Sequence, residues 1–140
     1  MKEVVLDTET TGISVKDGHR IVEIGCIELD NLIPTKNKFH CYLNPERKVS
    51  EKALEVHGYT DEFLATQKKF IDIGEQFVEF IKGKRLIIHN ADFDLGHLNN
   101  FFKNFIYTIF NRFFCKIIFD NKIRFFLFIL RWVLNIFKFF

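Results

Sequence analysis

Cysteine is scarce in this 140-residue chain: Cys26, Cys41 and Cys115 are an odd number, with no Cys-x-x-Cys spacing and no repeated frame. That excludes a disulfide scaffold and a zinc knuckle, and it points to a reducing, cytoplasmic setting. An apolar leader is also missing. Met1, Lys2 and Glu3 run directly into a short apolar segment, so no secretory signal is expected. Long uncharged hydrophobic runs are missing too, because Arg112, Lys116, Lys122, Arg124 and Arg131 break every candidate before it reaches the ~18 residues of a spanning helix. Acid is nearly absent from one end of the chain. After residue 100 the sole acidic residue is Asp120, against seven Lys and Arg, whereas residues 1–100 carry 17 acids and 13 bases. The formal net charge of +2 therefore describes neither part.

With 48% hydrophobic and 27% charged residues, the chain has the balance of one globular domain. Val4, Val5 and Leu6 form a continuous apolar run ending at Thr10, Thr11 and Gly12, which predicts a buried strand followed by a turn. The alternation from Arg20 to Leu29 predicts a second, well-buried strand, and Phe39, Cys41 and Leu43 ahead of Asn44 and Pro45 predict a third. Ser50 before Ala53, Leu54 and Val56 predicts a short capped helix that stops at Gly58. Phe70, Ile73, Phe77, Phe80 and Ile81 recur at helical spacing and predict a helix over 70–82, ended by Gly83. Leu86, Ile87 and Ile88 make another buried strand, and Leu95, Leu98, Phe102 and Phe105 mark a helix that starts near Asp92. This order predicts an α/β fold, a mixed sheet covered by helices, whose reactive groups sit at strand ends.

The chemistry is concentrated at two such ends. In Asp7-Thr8-Glu9 the period of two places both carboxylates on one strand face, roughly 6.5–7 Å apart at Cα, where they can share a hard cation. An acid-x-acid pair is common by chance, so its position carries the weight: it follows a buried strand and precedes a Thr-Thr-Gly turn. His89-Asn90-Ala91-Asp92-Phe93-Asp94 again follows a buried strand and opens a helix, which adds carboxylates at a second strand end.

The ordered set Val5–Gly12, Ile21-Val22-Glu23-Ile24-Gly25, Val56-His57-Gly58 and Ile88–Asp94 resembles the DEDD exonucleases of ribonuclease H-like fold over roughly residues 1–105. Among them it is most similar to those that proofread for bacterial DNA polymerase III. The resemblance implies 3′–5′ hydrolysis of DNA ends with two divalent metals, Mg²⁺ or Mn²⁺. It assigns Asp7, Glu9 and Asp94 to catalysis and metal binding, with Asp7 bridging the metals and Asp92 structural. Thr10, Gly12, His57 and Asn90 become substrate-binding positions, the turn at Thr10–Gly12 receiving the 3′ end and His57 contacting the terminal nucleotide. The implied partners are a DNA 3′ end and the alpha subunit of DNA polymerase III, which the family tethers through a segment beyond the exonuclease domain.

The chain departs from the family pattern in two places. Lys52 stands where relatives carry an acid five residues before the histidine, with Glu51 beside it as the candidate substitute. The third motif, His-x-Ala-x-x-Asp-Ala, is missing: no histidine follows His97, which lies one helical turn past Asp94. Residues 101–140 contain 13 Phe, 7 Ile, 4 Asn and 4 Lys, all encodable by A and T alone, the mark of A+T-rich DNA read in an unselected frame. The expected organisation is therefore an incomplete exonuclease domain over 1–105 and a basic Phe/Ile-rich tail over 106–140. Phe105, Ile106, Ile109, Phe110, Phe113, Phe114, Ile117 and Ile118 form an apolar helical stripe suited to core packing, a membrane surface or a partner helix. Three functions follow as expectations: a proofreading exonuclease, an impaired fragment that folds and binds metal or DNA, and a tail-driven binding module.

Overall fold

A computed structural model describes residues 2–104 of the chain. Strand β1 (Lys2–Thr10) is followed by β2 (Ile21–Asp30) and β3 (Ile33–Tyr42). Helices α1 (Glu51–His57), α2 (Asp61–Ala65) and α3 (Phe70–Ile81) then lead to β4 (Arg85–Ile87), and residues 91–104 form a further helix, α4. The sheet order is β3-β2-β1-β4. β1 pairs antiparallel with β2 and parallel with β4. β2 and β3 make a hairpin whose two-residue turn, Asn31-Leu32, has positive φ at both positions (49° and 66°), as the right-handed twist of a tight hairpin favours. The parallel partner needs a longer crossover, which α1–α3 supply. This is the expected mixed α/β sheet.

Val4 and Leu6 are buried and face α3, but Val5 is 40% exposed on the opposite face, so the apolar run is not buried on both sides as its sequence suggests. A run of three apolar residues cannot distinguish one covered face from two. β3 starts six residues before the alternation at Phe39, because its first half, Ile33 to Lys38, is largely exposed and carries no apolar signal. Leu43 lies beyond β3, fully buried, in a single bridge to Lys68. The capped helix is found at α1, where Ser50 Oγ accepts the Ala53 N–H at 3.3 Å and Gly58 takes φ 76° as the left-handed cap. α2, capped by Thr60, was not expected: five residues are too few to display a period.

One cluster joins these elements. Phe70, Ile73, Phe77 and Ile81 of α3 pack with Val4, Leu6, Ile24 and Cys26 of the sheet and with Leu98 of α4. Phe77 sits at its centre, with ring centroids of Phe39 at 5.4 Å and Phe102 at 6.1 Å. The stripe expected over 105–118 and the rest of the basic tail lie outside the described residues. Among the described residues, no helix is long and apolar enough to cross a membrane.

At the far end of the sheet Glu28 is 1% exposed and carries its charge into the interior. Lys84 Nζ lies 2.6 Å and Lys2 Nζ 3.1 Å from its carboxylate, while Thr35 and Asn37 donate at 3.3 Å. The bonds from Lys84, then Lys2, hold this carboxyl down to about 2, from an ordinary 4.5. Its contribution to stability is complete above pH 4.5 and is lost as pH falls through about 2. A melting temperature that declines across that interval in the unaltered chain, with a shallower decline in Glu28→Gln, is the expected result.

Candidate active site

The C-terminal end of β1 carries Asp7 and Glu9 on the sheet face opposite α3. Glu9 pairs with Glu23 and Asp7 with Gly25, and the register slips between Glu9 and Thr10. Such a bulge re-aims side chains at a strand end. Nothing lies within 4 Å of where a Gly25 side chain would begin, so the space beside Asp7 is open. The Glu9 carboxyl is raised above its usual range, first by burial. His57 opposes this, while the charges of Asp7, Glu23 and Asp94 add to it. Glu9 thus stands in the field of three other carboxylates, a concentration of negative charge that a bound cation would relieve.

Thr8 points the other way, is buried, and donates from Oγ1 to Asp94 Oδ1 at 2.6 Å. That bond ties α4 to the strand bearing Asp7 and Glu9. The start of α4 follows from Asn90, whose carbonyl accepts the N–H groups of Phe93 (3.0 Å) and Asp94 (3.3 Å). Asn90 and Asp92 are exposed at this helix start, whereas Asp94 is 3% exposed.

The Thr10–Gly12 turn is fixed from several sides. Thr10 is buried and donates from Oγ1 to the Gly12 carbonyl at 2.8 Å, so its hydroxyl serves the turn itself. Ser50 N–H donates to the Thr11 carbonyl at 3.0 Å, bringing α1 against the turn. His57 Nδ1 accepts the Tyr59 N–H at 3.0 Å, which places the ring proton on Nε2, where it is donated to the Thr10 carbonyl at 3.2 Å. Both ring nitrogens are engaged within the chain, so a contact from His57 to a nucleotide falls to its ring. Tyr59 stacks on that ring at 4.8 Å and 18°. The Tyr59 hydroxyl donates to Glu23 Oε2 at 2.7 Å, and His40 Nε2 meets Glu23 Oε1 at 2.5 Å. A chain His40–Glu23–Tyr59–His57–Thr10 therefore passes beside Glu9. Tyr59 and His40 carry no periodic or motif signal of their own, and only the pairing of β1 with β2 brings Glu23 to Glu9.

His97, one helical turn past Asp94, is enclosed. It is 2% exposed, its ring packs on Phe93 at 4.6 Å, and its Nδ1 donates to the Phe93 carbonyl at 3.0 Å. Lys52 and Glu51 are exposed in the first turn of α1. The donor chemistry at β1 fits a hard divalent ion: all-oxygen carboxylates, with Glu9 destabilised by its acidic neighbours. Among the described residues, however, no three His, Cys, Asp or Glu side chains close around one point.

Gly12 is required by contact. A Cβ at that position would lie 2.4–2.6 Å from the His19 ring, which is itself held by Thr11 Oγ1 at 3.0 Å. Gly12→Ala must displace the imidazole, and overpacking of this kind costs roughly 1–3 kcal/mol. Thermal melting and the loss of the native His19 ring resonance check it; an unchanged melting temperature would contradict the contact.

The profile of a family described as "Exonuclease" matches residues 4–136. DNA polymerase III subunit epsilon of Rickettsia conorii is 49% identical over 100 residues, which are 71% of this chain and 44% of that protein. The same subunit of Escherichia coli K12 is 44% identical over 102 residues, 70% of this chain and 42% of that one. The chain thus spans less than half the length of the curated relatives it matches. Among solved structures, exonuclease X in complex with 5′-overhanging duplex DNA superposes with TM-score 0.52 at 26% identity, covering 65% of this chain and 50% of that one. The product-bound structure of exonuclease I gives TM-score 0.63 at 17% identity, covering 74% and 25%, a likeness of fold.

Proposed function

The chain belongs to the exonuclease family, and from that premise we propose that it is a 3′–5′ exodeoxyribonuclease, a proofreading subunit acting beside DNA polymerase III. The observation that carries this reading is the acidic end of β1: Asp7 and Glu9 share one face at a bulge, and Asp94 is latched to the intervening Thr8 at 2.6 Å. The names of the relatives support the replication role, which belongs in the bacterial cytoplasm.

In this reading residues 1–105 are the exonuclease unit and 106–140 a separate basic tail. Asp7, open to solvent beside Gly25, and Glu9 would hold a divalent ion, with Asp94 as the third carboxylate. When bound, Mg²⁺ or Mn²⁺ supplies Lewis acidity at the scissile phosphate and lowers the pKa of the attacking water. The remaining roles are positional. Thr10 and Gly12 present a rigid turn to the DNA 3′ end, His57 braces that turn through the Thr10 carbonyl, and exposed Asn90 offers an amide at the start of α4. The polymerase alpha subunit is the proposed protein partner.

Incubating the 140-residue chain with Mn²⁺ and a 5′-labelled single strand tests the assignment. A ladder that shortens from the 3′ end is expected; an intact strand, or release of the labelled 5′ nucleotide first, would contradict it.

A further inference from the structure

A group of hydrogen-bond donors beside the Thr10–Gly12 turn has no part in the carboxylate chemistry. The segments 13–20 and 44–50 are laced together there: Arg20 Nη1 donates to the Pro45 carbonyl and Arg47 Nη1 to the Asp17 carbonyl, each at 3.0 Å. Arg47 Nη1 would also lie 3.2 Å from a Cβ on Gly18, so its guanidinium is packed close against the loop. No carboxylate answers this cation among the described residues. Its neighbour Glu46 is taken by Arg20 at 3.6 Å and by Lys69. Asp17 reaches Arg47 through its backbone oxygen, while its carboxylate acts on His19.

His19 stands next to Arg47 and against Gly12. Its pKa is lowered first by burial and then by the Arg47 charge. The ring is held by Thr11, whose hydroxyl lies 3.0 Å from Nδ1 and accepts the Arg20 N–H at 3.1 Å. The corner thus offers the Arg47 guanidinium as a donor, with the His19 ring fixed beside it. In the same two segments Lys16 and Lys48 are exposed and form no ion pair among the described residues. A fixed cation is complementary to an oxyanion, and the planar guanidinium suits the phosphate geometry.

We propose that Arg47, packed beside the His19 ring, holds an internucleotide phosphate of the single-stranded DNA whose 3′ end enters the Thr10–Gly12 turn. This rests on the exonuclease reading and adds to it a phosphate subsite away from the carboxylates. Arg47 positions the strand and touches no reacting atom.

The test is a binding cycle on the full 140-residue chain, with Ca²⁺ replacing Mn²⁺ and fluorescence anisotropy of a labelled single strand as the readout. Arg47→Met should weaken binding about tenfold, the scale of one charge-assisted bond, and reduce the slope of log Kd against log salt by about 0.7. Strands carrying one neutral methylphosphonate are then scanned through the linkages near the 3′ end. At one linkage the substitution should weaken the unaltered chain by the same factor yet leave Arg47→Met unchanged. If Arg47→Met does not fold, by circular dichroism, Arg47→Gln takes its place, since it removes the charge and keeps a donor for the Asp17 carbonyl. An unchanged salt slope, or methylphosphonate losses equal in both proteins at every linkage, overturns the Arg47 assignment while leaving the exonuclease reading in place. Failure of the unaltered chain to bind the strand at all overturns both.

Discussion

Asp7→Ala is expected to abolish Mn²⁺ binding by the 140-residue chain and to cut nucleotide release from a 3′-labelled strand by at least ~10²-fold, since even outer-shell partners of a metal cost 10–100-fold. The reason lies in the arrangement at β1. Asp7 is the exposed member of the pair and faces the open space beside Gly25, whereas Glu9 is partly buried and already strained by its acidic neighbours. Removing Asp7 takes away the most accessible carboxylate, and with one acidic neighbour fewer Glu9 has less charge for a cation to relieve. Asp30→Ala is the control, because Asp30 is exposed at the opposite end of the same strand pair, across from Lys2. Calorimetric titration and a radiolabel release assay read the two effects. Equal losses in both variants would mean that bulk negative charge, rather than the site at β1, binds the ion.

Phe77→Ala should have the largest effect on stability, roughly 3–5 kcal/mol for deletion of a buried aromatic ring. Phe77 has no solvent exposure, and its ring meets Phe39, Phe70 and Phe102 from three elements. Against the ~5–15 kcal/mol that holds an ordinary domain folded, such a loss approaches the whole margin. Urea denaturation followed by circular dichroism measures it. Phe63→Ala is the comparison, since Phe63 is 39% exposed and should cost much less. Comparable costs at the two positions would show that Phe77 does not anchor the core.

α3 was legible because Phe70, Ile73, Phe77 and Ile81 place a full apolar stripe over three turns, and α1 because Ser50 and Gly58 bracket it with capping chemistry. The first half of β3 was not legible. An edge strand with solvent on most sides needs no apolar alternation, so its residues follow their pairing with β2 rather than a pattern of their own. Val5 and His97 show the same limit in opposite directions. An apolar residue is left half-exposed on the face that carries the acids, and a polar one on α4 is enclosed, because burial depends on what packs above a residue.

What the sequence determined by itself is therefore local: the presence of the strands and the longer helices, though not every boundary, and that Asp7 and Glu9 must share a face, since the backbone repeats every two residues whatever surrounds it. Tertiary structure alone decided which groups meet. Thr8 reaches across 86 residues to Asp94, and pairing of β1 with β2 sets Glu23 against Glu9. His57 gives both nitrogens to the backbone of Thr10 and Tyr59, and Arg47 is brought to His19 by the lacing of two loops. Such contacts join residues far apart in the chain. Strand register and loop packing set them, and neither leaves a periodic trace in the sequence.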